Sequence, residues 1–435
     1  MAREFKLQLY DTEQSRKAGA EANKLFPEDR AAHDWYRFVL SFPPHLVRDY
    51  LDRFSVSVNQ KVLDPFCGTG TTLVECKKRG IASAGVEANP MVRFASQVKT
   101  DWKIDPFGLI EHSEKVAQSA QAELHSQGLD DISLSLFQTG HRPQFQLRGL
   151  SEETAKLLLT NSISPLPLHK TLVLIDHLKK NSDERFYRHQ LLALAKAIVS
   201  SISNLHFGPE VGVGSAKEDA PVIASWLDCV RAMAEDLKRL QDRADTEAAV
   251  YQADSRQLLE VFEPASIDAV ITSPPYPNEK DYTRTTRLES VLLGFIRNKE
   301  ELKSLKRNLL RSNTRNVYKG DDDDERVSSF PEIQRIAEAI EKRRIEMGKT
   351  SGFERLYSRV TKLYFGGMAR HLAELRRALR PGAHLAYVVG DQASYLRVMI
   401  RTGELLAQIA ESLGYELLGI DLFRTRLATA TKEQL

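Results

Sequence analysis

Thr272-Ser273-Pro274-Pro275-Tyr276 follows a mostly apolar run, Ile267 to Ile271, that reads as a buried parallel strand. The two prolines donate no backbone N–H, so this segment cannot continue a ladder and must leave the sheet at the strand's carboxyl end. In open α/β sheets that edge binds ligands. There the segment offers backbone carbonyls, one hydroxyl and one aromatic face. Such groups suit a planar ring bearing an exocyclic amino group: carbonyls and hydroxyl accept the N–H protons, and the tyrosine stacks on the ring. An isolated Pro-Pro-Tyr would read as a turn capping a strand, and the upstream sequence decides against that.

Upstream stands Lys61-Val62-Leu63-Asp64-Pro65-Phe66-Cys67-Gly68-Thr69-Gly70-Thr71-Thr72, a short strand, a glycine turn and the start of a helix. The glycines let the backbone bend tightly and approach a ligand, and the helix start offers free N–H groups. A nicotinamide site usually shows three glycines after its strand, and only two appear here. A second strand, Ala82 to Val86, ends in Glu87, an acid placed to accept both hydroxyls of a ribose. Asn89 to Val98 follows as a helix. Then no third strand arrives until Ala248, whose strand ends in Asp254.

The interval from about Asp105 to Ala244 reads as mostly helical, with apolar periodicity over Arg185 to Leu205 and Ala220 to Leu240 and a break at His206-Phe207-Gly208-Pro209. Two readings stand for this insertion, a scaffold and a DNA-contacting or target-recognition module. After the Ser-Pro-Pro-Tyr strand, Thr285 to Ile296 reads as a helix. The next segment is basic, and Lys303, Lys306, Arg307, Arg311 and Arg315 are candidates for phosphate contact, against the plainer reading of a solvated helix face. Asp321-Asp322-Asp323-Asp324-Glu325 reads as a mobile surface loop. Leu372 to Leu379 is expected to be a helix stopped by Arg380-Pro381-Gly382, with a strand over Ala383 to Val389. A helix over Thr402 to Leu413 leads to a strand over Tyr415 to Asp421, with a partner starting near Phe423. Residues 1 to about 30 read as a loose arm, and a helix carrying Leu46, Val47, Tyr50 and Leu51 begins just after Pro43-Pro44.

The chain has 435 residues and a formal net charge of only +2, so nucleic-acid binding would have to rest on local basic patches. No run of about 18 apolar residues exists, and residues 1 to 6 lack a signal-peptide apolar region. The three cysteines, Cys67, Cys76 and Cys229, form neither a disulfide framework nor a metal cluster. These features fit a cytoplasmic protein without a membrane span.

With these residues in place, the chain resembles the amino-methylating DNA methyltransferases, enzymes that use S-adenosylmethionine to modify cytosine at N4 or adenine at N6. Asp64, Pro65, Phe66, Gly68, Thr69, Gly70, Thr71 and Thr72 look like the family's cofactor loop. Glu87 matches its ribose-binding acid, and Asp254 matches the acid that contacts the cofactor's adenine amino group. Ser273, Pro274, Pro275 and Tyr276 match its catalytic motif, in the form TSPPY. Phe42-Pro43-Pro44 is similar to its amino-terminal motif, which packs near the methionine end. The resemblance covers about 34–89 and 250–424, without 297–349. It implies a Rossmann-like class I α/β fold with a mostly parallel seven-stranded sheet, a large helical insertion and a smaller second one. The expected divisions are 1–104 (arm and first half of the core), 105–247 (helical insertion), 248–296 (core with the catalytic motif), 297–350 (basic insertion) and 351–435 (remainder of the core). Two departures stand out. The cofactor motif precedes the catalytic motif although its wording is that of enzymes usually arranged the other way round. The large insertion lies between the ribose acid and the adenine acid.

The resemblance implies direct methyl transfer to a base flipped out of double-stranded DNA, with no metal, and a cognate restriction endonuclease or defence system as a candidate partner. Carbon-5 cytosine chemistry needs a cysteine nucleophile, and the only cysteine near the ligand edge, Cys67, lies inside the cofactor loop. Ser before Pro-Pro-Tyr favours N4-cytosine over N6-adenine. An RNA amino-group methyltransferase and a catalytically inactive DNA-binding protein are the further alternatives.

Overall fold

The computed structural model describes residues 7–9, 25–36, 41–131, 146–207, 211–278 and 280–423. Its strands are β1 (Leu7–Leu9), β2 (Lys61–Asp64), β3 (Ala82–Val86), β4 (Leu205–Phe207), β5 (Val211–Val213), β6 (Ala248–Tyr251), β7 (Ile267–Thr272), β8 (Leu379–Tyr387) and β9 (Ile420–Leu422). One sheet runs in the order β6-β3-β2-β7-β8, and every neighbouring pair in it is parallel. The seven strands implied by the resemblance are thus five in the described sheet.

Side chains alternate across this sheet as a pleat requires. Val62, Ala269 and Ile271 pack with Val47, Leu51, Cys76 and Ile81 on one side. Leu63 and Val270 pack with Tyr364, Phe365 and Met368 on the other. The helices that cover the sheet start where their sequences say they should. Pro44 opens Pro44–Arg53, and Pro90 opens Pro90–Lys99. A proline at the first helical position lacks only an N–H that would be unpaired anyway. Asn89 caps the second of these, accepting from the Met91 and Val92 amides.

Both insertions lie inside crossovers between parallel strands that are neighbours in the sheet, so neither interrupts a ladder. The first is built from Pro106–Ser126, Pro165–Lys180, Tyr187–Ala197 and Val222–Leu240. Its Leu109, Trp226 and Leu237 share one apolar cluster with Met91, Phe94 and Val98 of the sheet-packing helix. The break after His206 is a hairpin, β4 pairing antiparallel with β5; Gly208 and Pro209 lie outside the described residues. The second insertion contributes Leu310, Val327, Ile333, Ile336 and Ile340 to the cluster on the other side of the sheet.

Several expectations change. The amino-terminal arm is not wholly loose, because β1 pairs in parallel with β9 from the far end of the chain. The strand expected over Tyr415 to Asp421 shortens to β9, since β1 offers a ladder only to Ile420–Leu422. Its expected partner beyond Phe423 lies outside the described residues. The helix expected from Leu372 begins at Tyr357 and ends at Ala378, and β8 starts at once, with Arg380-Pro381-Gly382 inside it. Pairing jumps from Ile267↔Leu379 to Ala269↔His384, so these residues form a bulge, where proline and a glycine at φ +80° are tolerated.

The acidic run is no loose surface loop. Asp323 is buried in the 3-10 turn Asp323–Val327, where Asp323 Oδ2 accepts from the Arg256 guanidinium at 2.7 Å. Asp321 is bonded to Arg311 through both carboxylate oxygens, each at 2.9 Å. Opposite charges supplied by distant segments turn what reads locally as a solvated run into a docked one.

Candidate active site

The carboxyl ends of β2, β3, β6 and β7 bring the motif residues to one edge of the sheet. Asp64 closes β2 and is fully buried. Its Oδ1 accepts from the Thr272 hydroxyl at 2.6 Å and from the Phe66 amide at 3.1 Å. Its Oδ2 is buried without a partner among the described residues. Burial pushes the Asp64 carboxyl up to about 6. The Thr72 hydroxyl donates to the Ile271 carbonyl at 3.0 Å, a second tie between the glycine loop and β7.

The glycines divide the work of the loop. Gly68 and Gly70 have φ of +50° and +82°, the left-handed region that favours glycine. A Cβ on Gly70 would stand 2.4 Å from Ser96 Oγ, so close packing excludes a side chain there. A Cβ on Gly68 would meet nothing within 4 Å, so the loop faces open space at that point. Thr69 and Thr71 are buried, and Ser41 Oγ lies 3.4 Å from Thr69 Oγ1, which brings the Phe42-Pro43-Pro44 segment against this loop. Pro65 is buried at the same turn, and Phe66 meets His371 edge-on at 4.8 Å. His371 bonds the Ser255 carbonyl at 2.8 Å and the Tyr387 hydroxyl at 2.6 Å; burial lowers its pKa to about 4, so the ring is neutral.

Glu87, half-buried just past β3, accepts from the Asn89 amide at 2.7 Å. Burial pushes its carboxyl up to about 7, and the Asp64 carboxylate nearby acts in the same direction. Asp254 does not stand alone after β6. Both of its oxygens accept from Arg256, the shortest of these bonds being 2.6 Å.

Past β7 the chain leaves the sheet as its prolines require. The Ser273 hydroxyl donates to the Val388 carbonyl at 2.9 Å and lies 3.4 Å from the Tyr276 hydroxyl. Pro274 is buried, while Pro275 and Tyr276 are half-buried. The Tyr276 amide donates to the Tyr282 hydroxyl at 3.3 Å, which fixes the loop's far side. Tyr276 also lies beside Gly390, where a Cβ would stand 3.5 Å from its ring.

Of the five basic candidates, Lys303, Arg307 and Arg315 are exposed. The other two are engaged inside the protein. Lys306 pairs with Asp281 at 2.9 Å. Arg311 is buried, holds Asp321 and donates to the Lys306, Arg307 and Leu309 carbonyls. Charge counting along the sequence does not separate the two kinds, because their carboxylate partners come from other segments.

Two side chains that the sequence reading passed over come to this edge, Arg256 and His371, and Thr272, read only as the end of a strand, proves to hold Asp64. The Asp254-Ser255-Arg256 spacing carried a signal for Arg256, since an arginine two positions after an acid at a strand end can fold back onto it. Nothing local marked His371.

An all-parallel sheet with a glycine loop, two further strand-end acids and a proline-stiffened loop at the same edge is consistent with a Rossmann-like α/β protein, a class that binds ligands at such an edge. The model of the DNA methylase family that embraces N6 and N4 enzymes matches residues 6–96, which include the glycine loop and Glu87 but not 272–276. The type II methyltransferase M.BsoBI of Geobacillus stearothermophilus is 26% identical over 447 aligned residues, covering 95% of this chain and 83% of its own. M.AvaI of Nostoc sp. is 25% identical, with coverage of 94% and 83%. M.MjaII of Methanocaldococcus jannaschii is 37% identical over 67 residues, only 15% of this chain. No solved structure matches. The chain is thus similar to the N6- and N4-type DNA methylases over residues 6–96 and to type II methyltransferases along most of its length.

Proposed function

We propose that this chain transfers a methyl group from S-adenosylmethionine to the N4 amino group of a cytosine flipped out of double-stranded DNA. The observation that carries the reading is the Thr272–Asp64 hydrogen bond, which ties the start of the Ser-Pro-Pro-Tyr loop to the cofactor loop. The residues present fit the cofactor. Gly68 leaves room for close approach, Asp64 Oδ2 is a buried acceptor without a partner among the described residues, and Glu87 offers a carboxylate to ribose hydroxyls. Asp254 is assigned to the adenine amino group. The bound cofactor would supply an electrophilic methyl on its sulfonium.

The protein's own residues do the rest. Because Ser273 gives its hydroxyl proton to the Val388 carbonyl, its lone pairs are left to accept from the substrate amino group. The Pro274 carbonyl is the second acceptor. Holding both hydrogens favours a pyramidal nitrogen whose lone pair faces the methyl, and this placement is the main catalytic contribution. Tyr276 stacks on the extruded base. Lys303, Arg307 and Arg315 are the proposed phosphate contacts. Among the described residues no helix is long and apolar enough to cross a membrane, and the reading places the enzyme in the cytoplasm with its DNA. The relatives' type II names support a cognate restriction endonuclease as partner.

Sequencing that distinguishes methylated bases, applied to DNA from a host expressing the protein, tests the proposal. N4-methylcytosine at a defined motif supports it. N6-methyladenine redirects it to the second substrate of the family, and no methylation alongside intact cofactor binding overturns it.

A further inference from the structure

Arg256 takes no part in the chemistry just described, yet it stands where the core meets the second insertion. Its side chain is 9% exposed and lies between two carboxylates. Toward the core, Nε donates to Asp254 Oδ1 at 3.0 Å and a terminal nitrogen donates to Oδ2 at 2.6 Å. Toward the insertion, its other terminal nitrogen donates to Asp323 Oδ2 at 2.7 Å, and the Arg307 carbonyl lies 3.4 Å from the first. Arg370 stands 3.8 Å from Asp323 Oδ1, closing a chain of alternating charge.

The backbone at the same place is an independent observation. A Cβ on Gly366, inside Tyr357–Ala378, would lie 1.7 Å from the Asp323 carbonyl oxygen. One on Gly367 would lie 2.6 Å from Leu310 Cδ1. Consecutive glycines weaken a helix. Here they let the insertion's backbone sit directly on it, within reach of Arg256.

We propose that Arg256 is a positioning residue that ties the docking of the second insertion to recognition of the cofactor's adenine. Asp323 holds the guanidinium, the guanidinium holds Asp254, and release of the insertion frees Asp254 from the orientation in which it accepts the amino proton. The planar fork of arginine keeps two carboxylates at a fixed angle, which a lysine cannot do. Because Arg307 belongs to the same docked segment, cofactor affinity and DNA affinity are linked, each raising the other by the same factor. The inference rests on the assignment of Asp254 to the adenine.

Calorimetric titration of the full chain with S-adenosylmethionine tests it, with thermal melting without cofactor as the companion measurement. Asp254→Asn, Arg256→Lys and Asp323→Asn should each weaken affinity, by roughly fivefold to a hundredfold on the usual scale of coupling between sites. The Asp254→Asn/Asp323→Asn double variant should be no weaker than the worse single. Gly366→Ala, which touches no charged side chain, should fall in the same range by pushing the insertion off. If Asp254→Asn leaves affinity unchanged, the adenine assignment itself fails. If Asp254→Asn weakens binding while Asp323→Asn and Gly366→Ala lower only the melting temperature, the assignment stands and the coupling is overturned.

Discussion

The Thr272 hydroxyl donates to Asp64 Oδ1 across 2.6 Å, with both side chains fully buried. One residue ends the strand before the Ser-Pro-Pro-Tyr loop and the other ends the strand before the glycine loop, so this bond, together with the one from the Thr72 hydroxyl to the Ile271 carbonyl, ties the two loops to each other. Thr272→Val removes it and leaves a buried carboxyl short of a donor, at a cost of about 1–3 kcal/mol. Both melting temperature and cofactor affinity should fall, and Thr272→Ser should recover most of each. Valine without effect on affinity would separate the two loops functionally.

Glu87→Ala should weaken S-adenosylmethionine binding by about 1–3 kcal/mol, the scale of an unmade buried polar contact. Titration calorimetry reads this directly, and an unchanged dissociation constant removes Glu87 from the ribose.

The raised carboxyls give a pH dependence with a definite sign. Burial lifts Asp64 to about 6, and Glu87 and Glu289 to about 7, all above their ordinary values. Between the ordinary carboxyl range and about 7 these three carboxyls therefore bind more protons in the folded than in the unfolded state, and their contribution to stability falls as pH rises through that window, while His33, His189 and His371, lowered to about 4 by burial, contribute in the opposite sense. In denaturant melts of the cofactor-free protein, Glu289→Gln should remove that residue's share, so that the variant's stability relative to the parent rises with pH across the window. Cofactor affinity should rise with pH through about 7 as Glu87 ionises to accept ribose hydroxyls.

Tyr276→Ala should leave cofactor binding intact and lower turnover, since stacking of an extruded base is worth about 1–3 kcal/mol. Equal losses in cofactor affinity and activity would reassign the ring to the cofactor.

Lys303, Arg307 and Arg315 should act alike on DNA, and Arg311 should not. Alanine at the three exposed positions should weaken binding to all duplexes and reduce the salt slope of log K by roughly 0.9 per lost contact. Arg311→Ala instead removes one partner of a buried pair, a change that costs about 3–5 kcal/mol, and should appear first in the melting temperature. A salt slope that survives the triple substitution would take this segment off the DNA.

The glycine turn and helix start, the strand ends at Asp64 and Glu87 and the exit of the Ser-Pro-Pro-Tyr loop from the sheet were legible because their causes are local. Positive φ at Gly68 and Gly70, the proline at the head of a helix and the apolar run before Pro274-Pro275 act within a few residues of themselves. Both insertions were legible for a similar reason, as interruptions in an alternation of strand and helix. The acidic run and Arg311 were misjudged. Their burial depends on partners that no window of sequence contains.

What the sequence by itself determined, then, is the order of the core strands and helices and the residues delivered to the carboxyl edge of the sheet. Tertiary structure alone decided which charges would be buried and which would face solvent. Asp323 reads as one acid among several until Arg256, 67 positions away, is brought to 2.7 Å from it. Leu7–Leu9 reads as part of a polar arm until Ile420–Leu422 supplies its ladder. Backbone preference is short-ranged and written in neighbours, whereas an ion pair or a strand pairing is made only when the fold sets its two halves side by side.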